Sequence, residues 1–434
     1  MLYRQRMANL FKVLLVVLLA GCSEAPDTNK ASEGGAGVAP KIKLIQRTQD
    51  EVLGTVFTPV DLNREVLVEK ISFSQLQLDA EMDAIWGATG RDDAGNIYFG
   101  VSSHGGQQGT SELFKYNPYS GQFKSLGDTV SQLTKLGLAP SDVKQNKLHS
   151  KIIAADDGYL YFSSFDESGE SQRNLTLPTW GGHLWRTRPG SAQWEHLLAT
   201  EHALIAVQVR DRYVYALGYW GHELFQFNMV SGEVKTVSVG SDTAHVSRNF
   251  LIDQHANVYI PKVRETGDGL SYASLEHYDR KLNHVTSYIM PNYVSKSWDG
   301  YHGITGYAET QNGDVYFVTQ EGRLYRLDST TGGLDKLKEL GFMHPKGNAS
   351  IESLFSLDGN QYLGAVARAK GQKKAQWLTY DLNLKQATAT TLPSIPSNRL
   401  IYGSVTRDNE GHIYLVGSHW QGRKGKPTAW KISI

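Results

Sequence analysis

Cysteine is nearly missing from this chain: Cys22 is the only one in 434 residues. A disulfide framework and a thiolate metal cluster are therefore both excluded. Net charge is missing too, because Lys+Arg and Asp+Glu are equal at 44 each. No overall field draws a polyanion, so nucleic acid is not an expected partner, and any anionic ligand must be met by local positive charge. Long apolar runs are also absent. The longest near the N-terminus, Val13 to Ala20, has eight residues, while a helix needs about 20 to cross a bilayer. No HExxH, GxSxG or P-loop occurs, which removes the conventional zinc protease, esterase and nucleotidase readings. HGGQQG at 104–109 leads into a strand and not a helix N-terminus, so it makes a poor phosphate cradle.

What the chain does have is glycine, tyrosine and a repeat. Forty per cent hydrophobic residues with 43 Gly and 22 Tyr describe a folded, turn-rich protein. A unit recurs seven times: an apolar strand, a polar turn with Asp, Asn or Gly, and a second strand carrying a tyrosine near its start. The anchors are Tyr98 (DDAGNIYFG), Tyr161 (ADDGYLYFS), Tyr215 (RDRYVYAL), Tyr259 (DQHANVYIP), Tyr316 (TQNGDVYFV), Tyr362 (SLDGNQYLG) and Tyr414 (DNEGHIYLV). A second hairpin follows most units, as in LFKYNPYSGQFKSLG at 113–127 and LFQFNMVSGEVKTVSVG at 224–240. Four antiparallel strands repeated radially predict an all-β fold, a seven-bladed β-propeller over residues 60–434. The last repeat has sequence for only three strands, and REVLVEKISF (64–73) has strand character without a partner of its own. This stretch is expected to supply the outer strand of the seventh blade and close the ring.

The repeat also serves as a ruler. Twelve residues before each anchor lies the start of the innermost strand; four to seven residues after it lies the loop leaving the second strand. In a propeller both open on one rim of the central axle. The first slot holds Trp86, His149 and Tyr402 in repeats one, two and seven. The second holds His104, Tyr219 with His222, Arg264 and His419 in repeats one, three, four and seven. His245 and His302 lie two residues before the first slot of repeats four and five, and Arg248 one residue after it. Titratable groups gathered at one mouth mark a candidate site. Trp180, at the end of the long 166–183 loop, suits a stacking platform or a packing role equally. GRKGKP at 422–427 reads as a solvated basic turn.

The first 22 residues, MLYRQRMANLFKVLLVVLLAGC, resemble a bacterial lipoprotein signal peptide, with a basic start, a short apolar run and small residues before Cys22. The resemblance implies cleavage before Cys22, lipid on its sulfur, and hence no cysteine nucleophile. Ser23, where a retention signal would place Asp, implies the outer membrane or cell surface of a Gram-negative bacterium. Residues 23–59, rich in Ser, Gly, Ala and Pro at their start, read as a flexible tether.

A rim of His, Tyr, Arg and Trp suits β-elimination from a uronic acid. That reaction needs a positive group for the carboxylate, a base for the C5 proton and a donor for the leaving oxygen. Glycoside hydrolysis, which needs two opposed carboxylates, finds only Asp166, Glu167 and Glu170 on one loop. A lipid-anchored seven-bladed propeller with these residues on one face resembles the propeller polysaccharide lyases that cleave ulvan and, more distantly, oligogalacturonates. The resemblance implies catalysis by a pair of histidines, a tyrosine and an arginine. Here these are His149 with His104 or His222, Tyr219, and Arg248 or Arg264 for the substrate carboxylate. Trp180, His245, Tyr402 and Trp86 would line the substrate. Leu204 departs from the family pattern, which would place a catalytic tyrosine in that neighbouring first slot. The oligogalacturonate branch further implies a divalent metal (Ca, Mn or Zn) on His104, His149 and His222. The expected partners are an anionic polysaccharide or oligosaccharide, with membrane contact through the lipid alone and the chain acting as a monomer. Two other outcomes stay open: a non-catalytic glycan-binding or scaffolding propeller, and an enzyme for a small cyclic substrate, which would need a narrow, deep channel.

Overall fold

The computed structural model describes residues 57–434, apart from 63, 77, 79–80, 104–108, 172–175, 220–221, 242–246, 266–270, 294–302, 331–332, 397–399, 403–405 and 421–424. The signal peptide, Cys22, most of the tether, His104, His245 and His302 lie outside the described residues. No helix among the described residues is long and apolar enough to cross a membrane.

Seven antiparallel sheets follow one another along the chain and form a ring of four-stranded blades. They span residues 82–128, 147–200, 204–238, 251–289, 304–342, 349–396 and 400–433. Leu67–Ile71 adds the fourth strand to the last sheet, antiparallel to Pro427–Ser433, with Leu67 opposite Ser433 and Ile71 opposite Ala429. The ring closes as the sequence implied. Thr58 is already docked on blades six and seven, its N–H donating to the Leu357 carbonyl at 3.0 Å and its hydroxyl accepting from Arg407 at 2.8 Å.

The anchor tyrosines explain the repeat. In four of the seven units the phenol donates to the aspartate of the preceding turn: Tyr98 to Asp92 at 2.8 Å, Tyr161 to Asp157 at 2.6 Å, Tyr259 to Asp253 at 2.8 Å and Tyr414 to Asp408 at 2.9 Å. These four rings are fully buried. Each joins two terms in one side chain: about 2 kcal/mol from removing apolar area from water, and a charge-assisted hydrogen bond that fixes the turn. The cores lie between the faces of neighbouring blades. Tyr414 and Val416 of blade seven, for example, pack with Ile97 and Phe99 of blade one.

Hydrogen bonds from each blade to the next complete the ring. Ser102 and Leu148 link blades one and two, Ser163 donates to Leu204, and Gln208 to Phe250. Asn249 then reaches Ile304, Thr305 reaches Ile351, Arg407 reaches the Ser356 and Leu357 carbonyls, and Ser418 returns to Asp83 in blade one. Each of these contacts satisfies a backbone carbonyl or N–H that would otherwise face the interior.

Candidate active site at the mouth of the axle

The innermost strands are irregular at one level. In blade one the strand breaks between Met82–Ala84 and Thr89–Arg91, and in blade two between Lys147–Leu148 and Ile153–Ala154. In blades three, five and six the register shifts between Leu204 and Ala206, Ile304 and Gly306, and Ile351 and Leu354. A bulge re-aims the side chains it carries. Here the irregular residues turn into the axle and line a cavity. Trp86, His149, Ser150 and Lys151, Ile205 and Ala206, Arg248 and Asn249, Thr305, Glu352 and Tyr402 come one or more from each blade.

At the centre is Arg248. It hydrogen-bonds the Tyr219 hydroxyl and lies close enough to Tyr402 and Glu352 for both to hold its charge. Among the described residues no carboxylate forms an ion pair with it, and its Nε has no hydrogen-bond partner. Glu352 is instead paired with Arg368 at 2.8 Å and accepts from Ser350 at 2.6 Å. His149 keeps part of its surface open to the cavity. Burial first, then the cations Arg248, Lys147 and Lys151, push its pKa well below the usual imidazole range, so it is neutral at physiological pH. Trp86 stacks with it at 6.4 Å and meets Tyr402 at 4.5 Å. Burial raises the Tyr402 phenol well above its ordinary value, against the pull of Arg248, so it remains protonated.

Four of the residues expected at the site, Trp86, His149, Arg248 and Tyr402, thus come together. Tyr219 stands behind them: it is buried in the core between blades three and four and reaches the cavity only through Arg248. Four others are placed elsewhere. His222 adopts a left-handed backbone (φ 52°) and packs beside His202 and Lys262, which together with burial lower its pKa to about 4. Arg264 pairs with Glu276 at 3.1 Å on its own blade. Trp180 packs on the core of blades one and two, its N–H donating to Asp166 at 3.2 Å, the packing alternative of the two weighed. His419 continues the blade-seven hairpin through paired bonds with Lys426. His149 and His222 do not share a site, and no three His, Cys, Asp or Glu side chains among the described residues gather as metal ligands.

Several groups escaped the ruler. Lys151, Asn249, Thr305 and Glu352 line the cavity, and Lys147 lies across the Trp86 ring at 4.1 Å while pairing with Glu167 at 3.0 Å. Asp83, near both Lys147 and Tyr402, is pushed up to about 6 by burial. The KxHxK spacing around His149 was the available signal, since alternate residues of a strand share a face.

No family model matches the sequence, and no curated protein matches it. Similar solved structures include U3-55K, at 11% identity over 85% of this chain and 98% of that chain, with a TM-score of 0.47. They also include Sqt1 of Saccharomyces cerevisiae, at 11% over 79% and 81%, with 0.47. A third is the β-propeller domain of the Trilobed protease of Pyrococcus furiosus, at 9% over 80% and 93%, with 0.46. The likeness to these proteins is one of fold. The chain is a seven-bladed β-propeller closed by its N-terminal strand.

Proposed function

We propose that this protein is a polysaccharide lyase that cleaves a uronate-bearing, ulvan-type polysaccharide by β-elimination. It would act at the outer membrane or cell surface, tethered by lipid on Cys22. The observation that carries this reading is Arg248: a deep guanidinium open to a cavity, with no ion pair to a carboxylate among the described residues. A buried charge of that kind is costly unless an anion meets it. A planar carboxylate can accept two parallel bonds from it.

The chemistry follows from the geometry. Arg248 pairs with the sugar carboxylate and stabilises the charge that builds on it as the C5–H bond breaks. His149, neutral in its site, takes that proton. The C4–O bond breaks as the C4=C5 double bond forms, and Tyr402 holds the proton that the leaving oxygen requires. Trp86 offers a flat face to the sugar ring. No step passes through a metal.

Incubation of the folded protein with ulvan, polygalacturonate and alginate, followed by absorbance of the unsaturated uronate, tests the reading. A rise on one of these substrates supports it. Binding without any unsaturated product overturns it in favour of a glycan-binding propeller.

A further inference from the structure

The elimination leaves one reactive group of the cavity unused. Lys151 closes the KLHSK segment, within the irregular residues of blade two, and is 9% exposed. Its stem is enclosed because blades one and two touch backbone to backbone. The Ile152 N–H donates to the Thr89 carbonyl at 2.9 Å, and a Cβ on Gly90 would come within 2.0 Å of the Ile152 oxygen, which only glycine permits. Its Nζ lies 3.4 Å from the Gly87 carbonyl, and the residue lines the cavity together with Arg248, Asn249 and Thr305. Lys147, four residues earlier in the preceding strand segment, is held as an ammonium partner of Glu167 at 3.0 Å. The two lysines therefore occupy different electrostatic settings. Burial draws the Lys151 ammonium down to about 7, so a large share is free amine at neutral pH. A desolvated lysine in a cavity is a setting in which an amine becomes a carbonyl nucleophile.

We propose that the axle cavity captures small 2-oxo acids, with Lys151 forming an imine to the ketone carbon and Arg248 holding the adjoining carboxylate. The amine nitrogen bonds to the carbonyl carbon, whose C=O electron pair moves to oxygen. A proton passes from nitrogen to that oxygen, with the neutral His149 imidazole as the neighbouring relay. The carbinolamine then loses water, leaving C=N. No oxidant or reductant is consumed. Arg248 selects the carboxylate, so neutral ketones are poor ligands. The inference shares the cavity of the lyase reading but does not depend on turnover of a polysaccharide.

The test is reductive trapping. The folded protein is treated at neutral pH with pyruvate and cyanoborohydride, weighed intact, and mapped by peptide mass. The expected result is one adduct per chain on Lys151, at least tenfold less modification with acetone in place of pyruvate, and loss of the adduct in Lys151→Arg. Should that variant not fold, the wild-type peptide map decides alone. No adduct on Lys151, modification spread over exposed lysines, or equal trapping of acetone overturns the inference. A protein that traps pyruvate on Lys151 yet yields no unsaturated uronate keeps this inference and overturns the lyase reading. Elimination without trapping does the reverse.

Discussion

The two ends of the axle are built by the same seven strands and do opposite things. At the far end, where the innermost strands run on in regular register, Arg210 of blade three meets Glu309 of blade five at 2.6 Å, beside the half-buried Tyr307. Two charges there pair with each other. At the near end the strands bulge, and Arg248, Lys151 and His149 face a cavity with their charges unmatched or suppressed. Regular register carries an ion pair and irregular register carries a cavity. Both ends depend on a closed ring, since a side chain from blade three meets one from blade five only if the blades between are held in a circle.

The strongest way to break the contrast is to open the ring. Deleting residues 60–75 removes Leu67–Ile71 and uncovers Pro427–Ser433; no cooperative melt is expected, whereas a soluble truncation that melts cooperatively would show that closure is dispensable. Removing the guanidinium at each end separates function from stability. Arg248→Met is expected to lower lyase turnover about 1,000-fold while moving stability by no more than about 1 kcal/mol. Arg210→Met should do the reverse: turnover stays within about twofold, but Glu309 is stranded, at a cost of about 3 kcal/mol in urea melts. His149→Ala should reduce turnover about 100-fold, with binding of the uronate largely kept.

The smallest effect concerns acid. The His183 Nδ1 and His196 Nε2 atoms lie 2.9 Å apart in blade two, and burial lowers both pKa values, that of His196 to about 4. The folded state therefore binds fewer protons than the unfolded chain, whose imidazoles titrate near 6.5. Stability is full above about 6.5 and falls as pH drops below it, by at most about 2 kcal/mol per such imidazole at pH 5. The melting temperature should decline from pH 7 to 5, less steeply in His196→Gln. A flat profile would contradict the buried, neutral pair.

The architecture was legible because the tyrosine-anchored turn is a local device. Asp92 and Tyr98 need only each other and the five residues between them, so every copy announces itself in sequence. The first slot was legible for the same reason: Trp86, His149 and Tyr402 lie at a fixed offset from the anchors, and all three reach the axle. Lys151, Thr305 and Glu352 were hidden because the bulges shift the register after that offset, and a one-residue slip changes which face a side chain takes. The second slot misled for a related reason. At the end of the second strand, alternate residues point to opposite neighbours, so His222 turns toward His202 and Arg264 toward Glu276 while Tyr219 supports Arg248 from behind. Charge pairing across blades leaves no mark in a single sequence.

Calorimetric titration with paired sugars, glucuronate against glucose, probes the mouth of the axle most directly. The uronate is expected to bind at least tenfold more tightly than the neutral sugar, and Arg248→Met should erase the difference. Equal affinity for the two, or a preference that survives Arg248→Met, would mean that the near end of the axle is not a carboxylate site.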